Sequence, residues 1–233
     1  MSEISPKGLE IAVSSIATEI NSQLLKAQKT RPEEFGLWAE LSCCVLSSQV
    51  PYDLAKAASQ RIMDSGVLSS DSSPNLQCLR SQLLSVLSPP IAVGGVFRRY
   101  RFPARRAHQI ASTFCVVHHE FGSLNELLNR YPDARSARVW MVKNMQGVGP
   151  KQASMFLRNI AVSYDLAVID RHVCRYIHVI GFGNAEPDVA TIRNYEKREA
   201  QLRIYAANIG CSLGVLDWAI WIVMRAASRI EQQ

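Results

Sequence analysis

The chain has 233 residues, 48% of them hydrophobic and 20% charged, with a formal net charge of +6. That length is long for one compact unit and short for two independent ones, so one domain of two lobes with a sizeable core is expected. The basic balance fits a polyanionic partner, whereas six scattered cysteines without CxxC spacing argue against zinc and for free thiols in a reducing cytosol.

Glu3, Lys7 and Glu10 interrupt the N-terminus before a signal-peptide core could form. Asp217 and Arg225 break the longest apolar stretches, so no membrane span is expected and the protein reads as cytoplasmic. Leu9, Val13, Ile16, Ile20 and Leu24 recur every three or four residues after Ser5–Pro6, which predicts a first helix. Trp38, Leu41, Val45 and Leu46 repeat the pattern until Pro51 resets the chain. Polar loops are expected at 69–75 and around Pro89–Pro90, with Gly94–Gly95 beyond. A helix follows from about Ala104 to Glu120, then a shorter one near Leu124–Asn129. Pro132–Asp133 caps the next helix, whose inward face reads as Val139, Val142 and Met145; its successor buries Ala153, Phe156, Leu157 and Ile160. After Asp170 come a helix to about Ile180, a charged one from Pro187 to Ile209 and an apolar one from Ser212 to about Ser228. No stretch alternates convincingly with period two, and the fold class is therefore all-α.

The chemistry concentrates in MQGVGPKQA, Met145–Ala153. Two glycines separated by one apolar residue predict a tight hairpin, because Gly accepts positive φ. Pro150 suits the first turn of a following helix, where a missing N–H costs nothing. The amides of Gly147, Val148, Gly149 and the helix start would then point outward as a seat for phosphate. Lys151 sits just past that seat, where the helix dipole favours the neutral amine that a nucleophile needs. Position alone supports an ordinary surface lysine equally well. Nineteen residues after Lys151, Asp170 ends the apolar run of LAVIDRHVCR at the start of another helix, a place where Asp is favoured as an N-cap. RRYRFPARR, Arg98–Arg106, holds five arginines and two aromatics in nine residues and reads as a backbone contact, with Arg105 and Arg106 as candidates. His118, His119 and His172 lack a complementary ligand set and read as surface or capping residues, and His172 is also counted among the candidate DNA contacts.

GVGPK with a correctly spaced IDRHV resembles the helix-hairpin-helix superfamily of DNA glycosylases and DNA lyases. CVLSSQVPYDLA (Cys44–Ala55), YRFPARRAHQI (Tyr100–Ile110), KQASMFLRNI (Lys151–Ile160) and LDWAIW (Leu216–Trp221) are similar to its archaeal-type 8-oxoguanine DNA glycosylases. The resemblance spans about residues 40 to 221, and the first ~35 residues carry no diagnostic motif. It implies a helical barrel lobe over 32–164 carrying the hairpin motif at about 135–163. A second lobe would form from 1–31 with 165–233, and the active-site cleft would lie between the two. The four clustered C-terminal cysteines that hold iron–sulfur in endonuclease III-type members are missing, since only Cys211 lies beyond Cys174.

By the same resemblance, Lys151 attacks C1′ as the base leaves, and the resulting Schiff base permits β-elimination. Asp170 stabilises the oxocarbenium-like charge, with Asp165 a weaker substitute. Gln49 fills the hole left by the flipped base. Trp218, Trp221 and either Phe35 or Trp38 would stack on that base, and Asp217 would accept from its N–H, although core packing explains such aromatics at least as well. Archaeal-type members end in a pocket-forming lysine soon after LDLYLW. This chain instead runs on through Arg225 and Arg229 to Gln232–Gln233, with Ile230 near the place of that lysine. The reading is a bifunctional glycosylase/lyase of base excision repair, acting as a monomer on double-stranded DNA that contains an altered base, most readily 8-oxoguanine. It needs no redox or organic cofactor, and a metal ion could be held by hairpin carbonyls near Gly147 and Gly149. The alternatives are a glycosylase for a modified pyrimidine, such as a hypermodified phage cytosine, and a non-catalytic duplex-binding module that would need neither Lys151 nor Asp170.

Overall fold

The computed structural model describes residues 5–26, 30–69, 75–182, 189 and 191–230, with the side chains of 229 and 230 left aside. The chain divides into a terminal unit, residues 1–30 with 161–233, and a central unit, residues 31–160. Among the described residues there are eleven helices and one two-stranded sheet.

The central unit contains α2 (Glu34–Leu46), α3 (Tyr52–Asp64), α4 (Leu76–Leu87), α5 (Pro103–Phe121), α6 (Leu124–Arg130), α7 (Ala134–Asn144) and α8 (Pro150–Asn159). Its helix starts follow local chemistry. Asn75, Ser123 and Asp133 each accept from a backbone N–H three residues ahead, which satisfies one of the orphan donors of a first turn. Glu34 does more: its carboxylate takes the Leu124 and Asn125 N–H groups at 2.7 and 2.9 Å and the Trp38 indole N–H at 2.8 Å. Trp38 is thereby turned inward against Phe114, with ring centroids 4.9 Å apart, and is 2% exposed. His118 joins the same cluster, 4.0 Å from Phe114, and burial holds its imidazole below the ordinary range, so it is a packing residue rather than a surface one.

Ala153, Phe156, Leu157 and Ile160 of α8 and its C-cap are all buried, as their spacing predicts. On α7 the inward face is rotated from the expected one. Ala137, Arg138 and Met141 are buried there with Met145, while Val139 is 43% exposed. The cause is Arg138, which is fully buried and donates to Ser154 Oγ of α8 at 3.1 Å. Hydrophobicity alone places such a residue on the outside.

The sheet is a departure from helix. β1 (Ile91–Val93) pairs antiparallel with β2 (Val96–Arg98) across Gly94–Gly95, both at positive φ as a two-residue hairpin turn demands. Strands of three residues are too short to show alternation, and the Gly–Gly pair was the signal available in the sequence.

The terminal unit contains α1 (Pro6–Lys26), α9 (Arg171–Val179), α10 (Ile192–Ile209) and α11 (Leu213–Ile230), with α1 and α9 packed on α11. Its core is formed by Val13, Ala17, Tyr176, Ala219 and Ile220 and their neighbours. The charged helix begins at Ile192, capped by Thr191; the expected start at Pro187 lies outside the described residues, as do Gln232 and Gln233. Among the described residues, no single helix is long and apolar enough to cross a membrane.

The segment Leu166–Ile169 leads into α9 without a partner strand among the described residues, so its buried amides must be met by side chains. Glu199 accepts from Ala167 N at 2.8 Å and Asp217 from Val168 N at 2.7 Å. The Tyr195 hydroxyl accepts from Ile169 N and donates to Ala167 O, both at 2.8 Å. Tyr195→Phe removes both hydroxyl bonds inside the core and is expected to cost about 1–3 kcal/mol of stability. Thermal melting would read this as a drop of several degrees, and an unchanged Tm would show the ladder to be dispensable.

Candidate active site

The loop between α7 and α8 forms the expected hairpin, though only one glycine needs its conformational freedom. Gly147 has φ +82, and a Cβ there would lie 2.6 Å from Gln109 Cδ. Gly149 is extended at φ −88, so its smallness matters only for the close approach of Gln152 Oε1. The seat for an anion is also narrower than the sequence suggests. Val148 N donates to Met145 O at 3.3 Å, and Gly149 N to Gln152 Oε1 at 3.3 Å. The Gly147, Lys151 and Gln152 amides, which among the described residues have no hydrogen-bond partner outside the helix itself, are the donors left as candidates for such a seat.

Lys151 stands half-buried in the first turn of α8, behind Pro150. Its positive charge reaches Cys44, yet burial and then Glu40 hold that thiol well above its ordinary range. Burial likewise pushes Cys43 up to about 12. Held in this way, neither thiol is poised as a thiolate near neutral pH.

One polar network ties three candidate DNA-contact elements of the central unit together. Gln152 Nε2 donates to Ser48 Oγ at 2.8 Å, and Arg106 donates to Ser48 O at 3.0 Å and to Gln109 Oε1 at 2.6 Å. Gln109 packs beneath Gly147, and the Tyr100 hydroxyl holds Leu46 O at 2.7 Å. The turn after α2 is thus clamped to the hairpin and to the start of α5. Gln49 sits on that turn, exposed, with φ +63, an uncommon state for a residue with a side chain. Strain at an exposed position fits a side chain held out toward a ligand.

Arg106 requires a correction. It is 5% exposed and its guanidinium faces the protein, so it positions the Ser48 turn and is unavailable to a phosphate. Arg105, its neighbour, is exposed. Arg101 lies over the Phe102 ring, 5.0 Å from its centroid. No sequence signal distinguished Arg106 from Arg105 apart from helical phase, which places Arg106 beside Gln109 and Ile110.

In the terminal unit, Asp170 is the N-cap of α9. Its Oδ1 accepts from His172 N at 2.8 Å and Val173 N at 3.0 Å, and among the described residues Oδ2 takes no hydrogen bond. A single carboxylate therefore caps with one oxygen and presents the other. Burial, more than the opposing pull of Asp170, keeps the His172 imidazole below its ordinary range. Asp165 is exposed and paired with Arg203 on the surface, which removes it as a substitute.

The pocket candidates divide. Trp38 belongs to the core of the central unit, and Asp217 is 3% exposed and committed to Val168 N, so neither is placed to receive a base. Trp218 and Trp221 are half-buried on α11, and Arg225 lies over the Trp221 ring at 4.9 Å. Among the described residues no His, Cys, Asp and Glu cluster could hold a metal ion.

A family model described as Ogg-HhH, 8-oxoguanine DNA glycosylase, matches residues 19–211. An 8-oxoguanine DNA glycosylase/AP lyase of Sulfurisphaera tokodaii is 29% identical over 193 residues, covering 82% of this chain and 83% of that protein. The crystal structure of the 8-oxoguanine DNA glycosylase of Thermotoga maritima is similar with a TM-score of 0.66 at 28% identity, covering 93% of both chains. The Methanocaldococcus jannaschii 8-oxoguanine glycosylase/lyase, solved in complex with a 15mer DNA containing 8-oxoguanine, has a TM-score of 0.62 at 24% identity. It covers 94% of this chain and 90% of its own, a likeness of fold.

Proposed function

The chain belongs to the 8-oxoguanine DNA glycosylase family, and we propose that it uses Lys151 and Asp170 to excise 8-oxoguanine from duplex DNA and then cleave the strand. The observation that carries this is Lys151 in the first turn of α8, directly behind the Gly147 turn and its outward amides. A phosphate seated on those amides brings a nucleotide to the amine. The Nζ lone pair attacks C1′ while the N-glycosidic bond breaks and its electrons leave with the base, which takes up a proton. Asp170 Oδ2 stabilises positive charge on the sugar. The sugar ring then opens: the C1′–O4′ bond breaks, O4′ takes up the proton that Nζ gives up, and C1′=Nζ forms as a Schiff base; a proton leaves C2′ and the 3′ phosphate departs by β-elimination. Gln49 fills the space of the extruded nucleotide.

8-Oxoguanine differs from guanine by an N7–H donor. With Asp217 committed to the core, the acceptor for this donor is a backbone carbonyl, and guanine, lacking the donor, would leave it buried and unpaired. The protein works inside the cell, as a monomer, without redox or organic cofactor. A cation at the hairpin would be held by the Gly147 and Val148 carbonyls, which accept no hydrogen bond among the described residues. Bound there, it would add positive charge beside a phosphate.

Duplexes carrying 8-oxoguanine, guanine or a bulky modified cytosine, each opposite every normal base, test the substrate. Strand cleavage at 8-oxoguanine is expected to exceed that at guanine by a factor on the order of 10⁴, the discrimination seen when a site is built around one substrate donor. Cleavage at the modified cytosine with 8-oxoguanine untouched would overturn the assignment.

A further inference from the structure

We propose that the β1–β2 hairpin is a second DNA grip, pressing Phe97 against the duplex beside the lesion while Arg98 and Arg99 hold its phosphates. This rests on the glycosylase reading above. Phe97 is 74% exposed and Val96 55%. The register explains the exposure of Phe97, whereas Val96, paired with Val93 on the Ile91 face, is exposed beside the turn. Ile91, paired with Arg98, is buried, whereas Phe97 pairs with Ala92 and so stands on the opposite face of the ribbon, away from the core. The turn glycines at the tip carry no side chains to cover it.

The hairpin is anchored at both ends. Ile91 packs it on α3, and Tyr100, two residues past β2, is tied to Leu46 O at the end of α2. Three residues of extended chain reach at most about 11 Å, so Phe97 stays within that span of Tyr100, whose hydroxyl is tied to Leu46 at the end of α2, just before the Gln49 turn. Charge selects the occupant. From Ser72 to His119 the sequence has six arginines and neither Asp nor Glu, and Arg98, Arg99 and Arg101 flank the apolar tip. An uninterrupted basic stretch around an exposed aromatic fits a polyanion with flat, stacked apolar bases better than a protein surface.

The test uses the full chain and a fluorescein-labelled duplex containing a tetrahydrofuran abasic-site analogue, followed by anisotropy across a salt series. V96S/F97S is expected to raise Kd roughly tenfold, as expected for a lost base-stacking aromatic, with the salt slope unchanged. Phe97→Trp should restore the affinity. R98Q/R99Q is expected to lower the slope of log K against log salt by about 1.8, two phosphates' worth. All substituted side chains are exposed, so melting temperatures should hold. Affinity of V96S/F97S within twofold of wild type overturns the proposal. So does the same variant dissociating a dimer in sedimentation while binding the duplex normally, which would make the tip a self-association surface. Borohydride trapping of the unsubstituted protein is the separate control. If it fails, the enzymatic reading is wrong, and if it succeeds while V96S/F97S binds normally, only the hairpin assignment is.

Discussion

Lys151→Gln is expected to abolish the covalent complex that borohydride traps between the wild-type protein and a strand containing 8-oxoguanine. Reduction fixes only a Schiff base, and only an amine can form one. Glutamine keeps most of the side chain's length and polarity at a half-buried position in the first turn of α8, so the fold should persist. Duplex affinity should fall little, because the seat is built from the Gly147, Lys151 and Gln152 backbone amides, which the substitution leaves in place. Persistent trapping by Lys151→Gln would mean that another amine is the nucleophile.

Asp170→Asn is expected to lower turnover by on the order of 10²-fold or more while costing at most about 1 kcal/mol of stability. The asymmetry follows from the geometry. Both capping bonds, from His172 N and Val173 N, end on Oδ1, and an asparagine carbonyl oxygen can accept both. What the substitution removes is the negative charge shared with Oδ2, the oxygen that the proposed mechanism turns to the sugar. Single-turnover kinetics with the melting temperature measured alongside separate the two contributions. An active but destabilised variant would show Asp170 to be a cap and nothing more.

Much of this protein is legible in its residues because the deciding interactions are local. Helical spacing marks the buried faces of α1 and α8, since side chains three and four residues apart share a face whatever surrounds them. Asp133 and Asp170 are found as caps because an N-cap bond spans only two or three residues. The hairpin and its lysine are found because glycine and proline constrain backbone at their own positions. The hydrogen bonds that give the site its form are not local. Arg106 reaches Ser48 across 58 residues, Gln152 reaches Ser48 across 104, and Asp217 reaches Val168 across 49. A buried polar side chain must find a partner wherever the fold brings one, and the identity of that partner leaves no periodic trace in the chain. For this reason the sequence marks Arg106 as a phosphate contact, Trp38 and Asp217 as pocket residues and Val139 as core. Tertiary structure turns Arg106, Trp38 and Asp217 into internal supports, and it leaves Val139 outside because Arg138 takes the inward place.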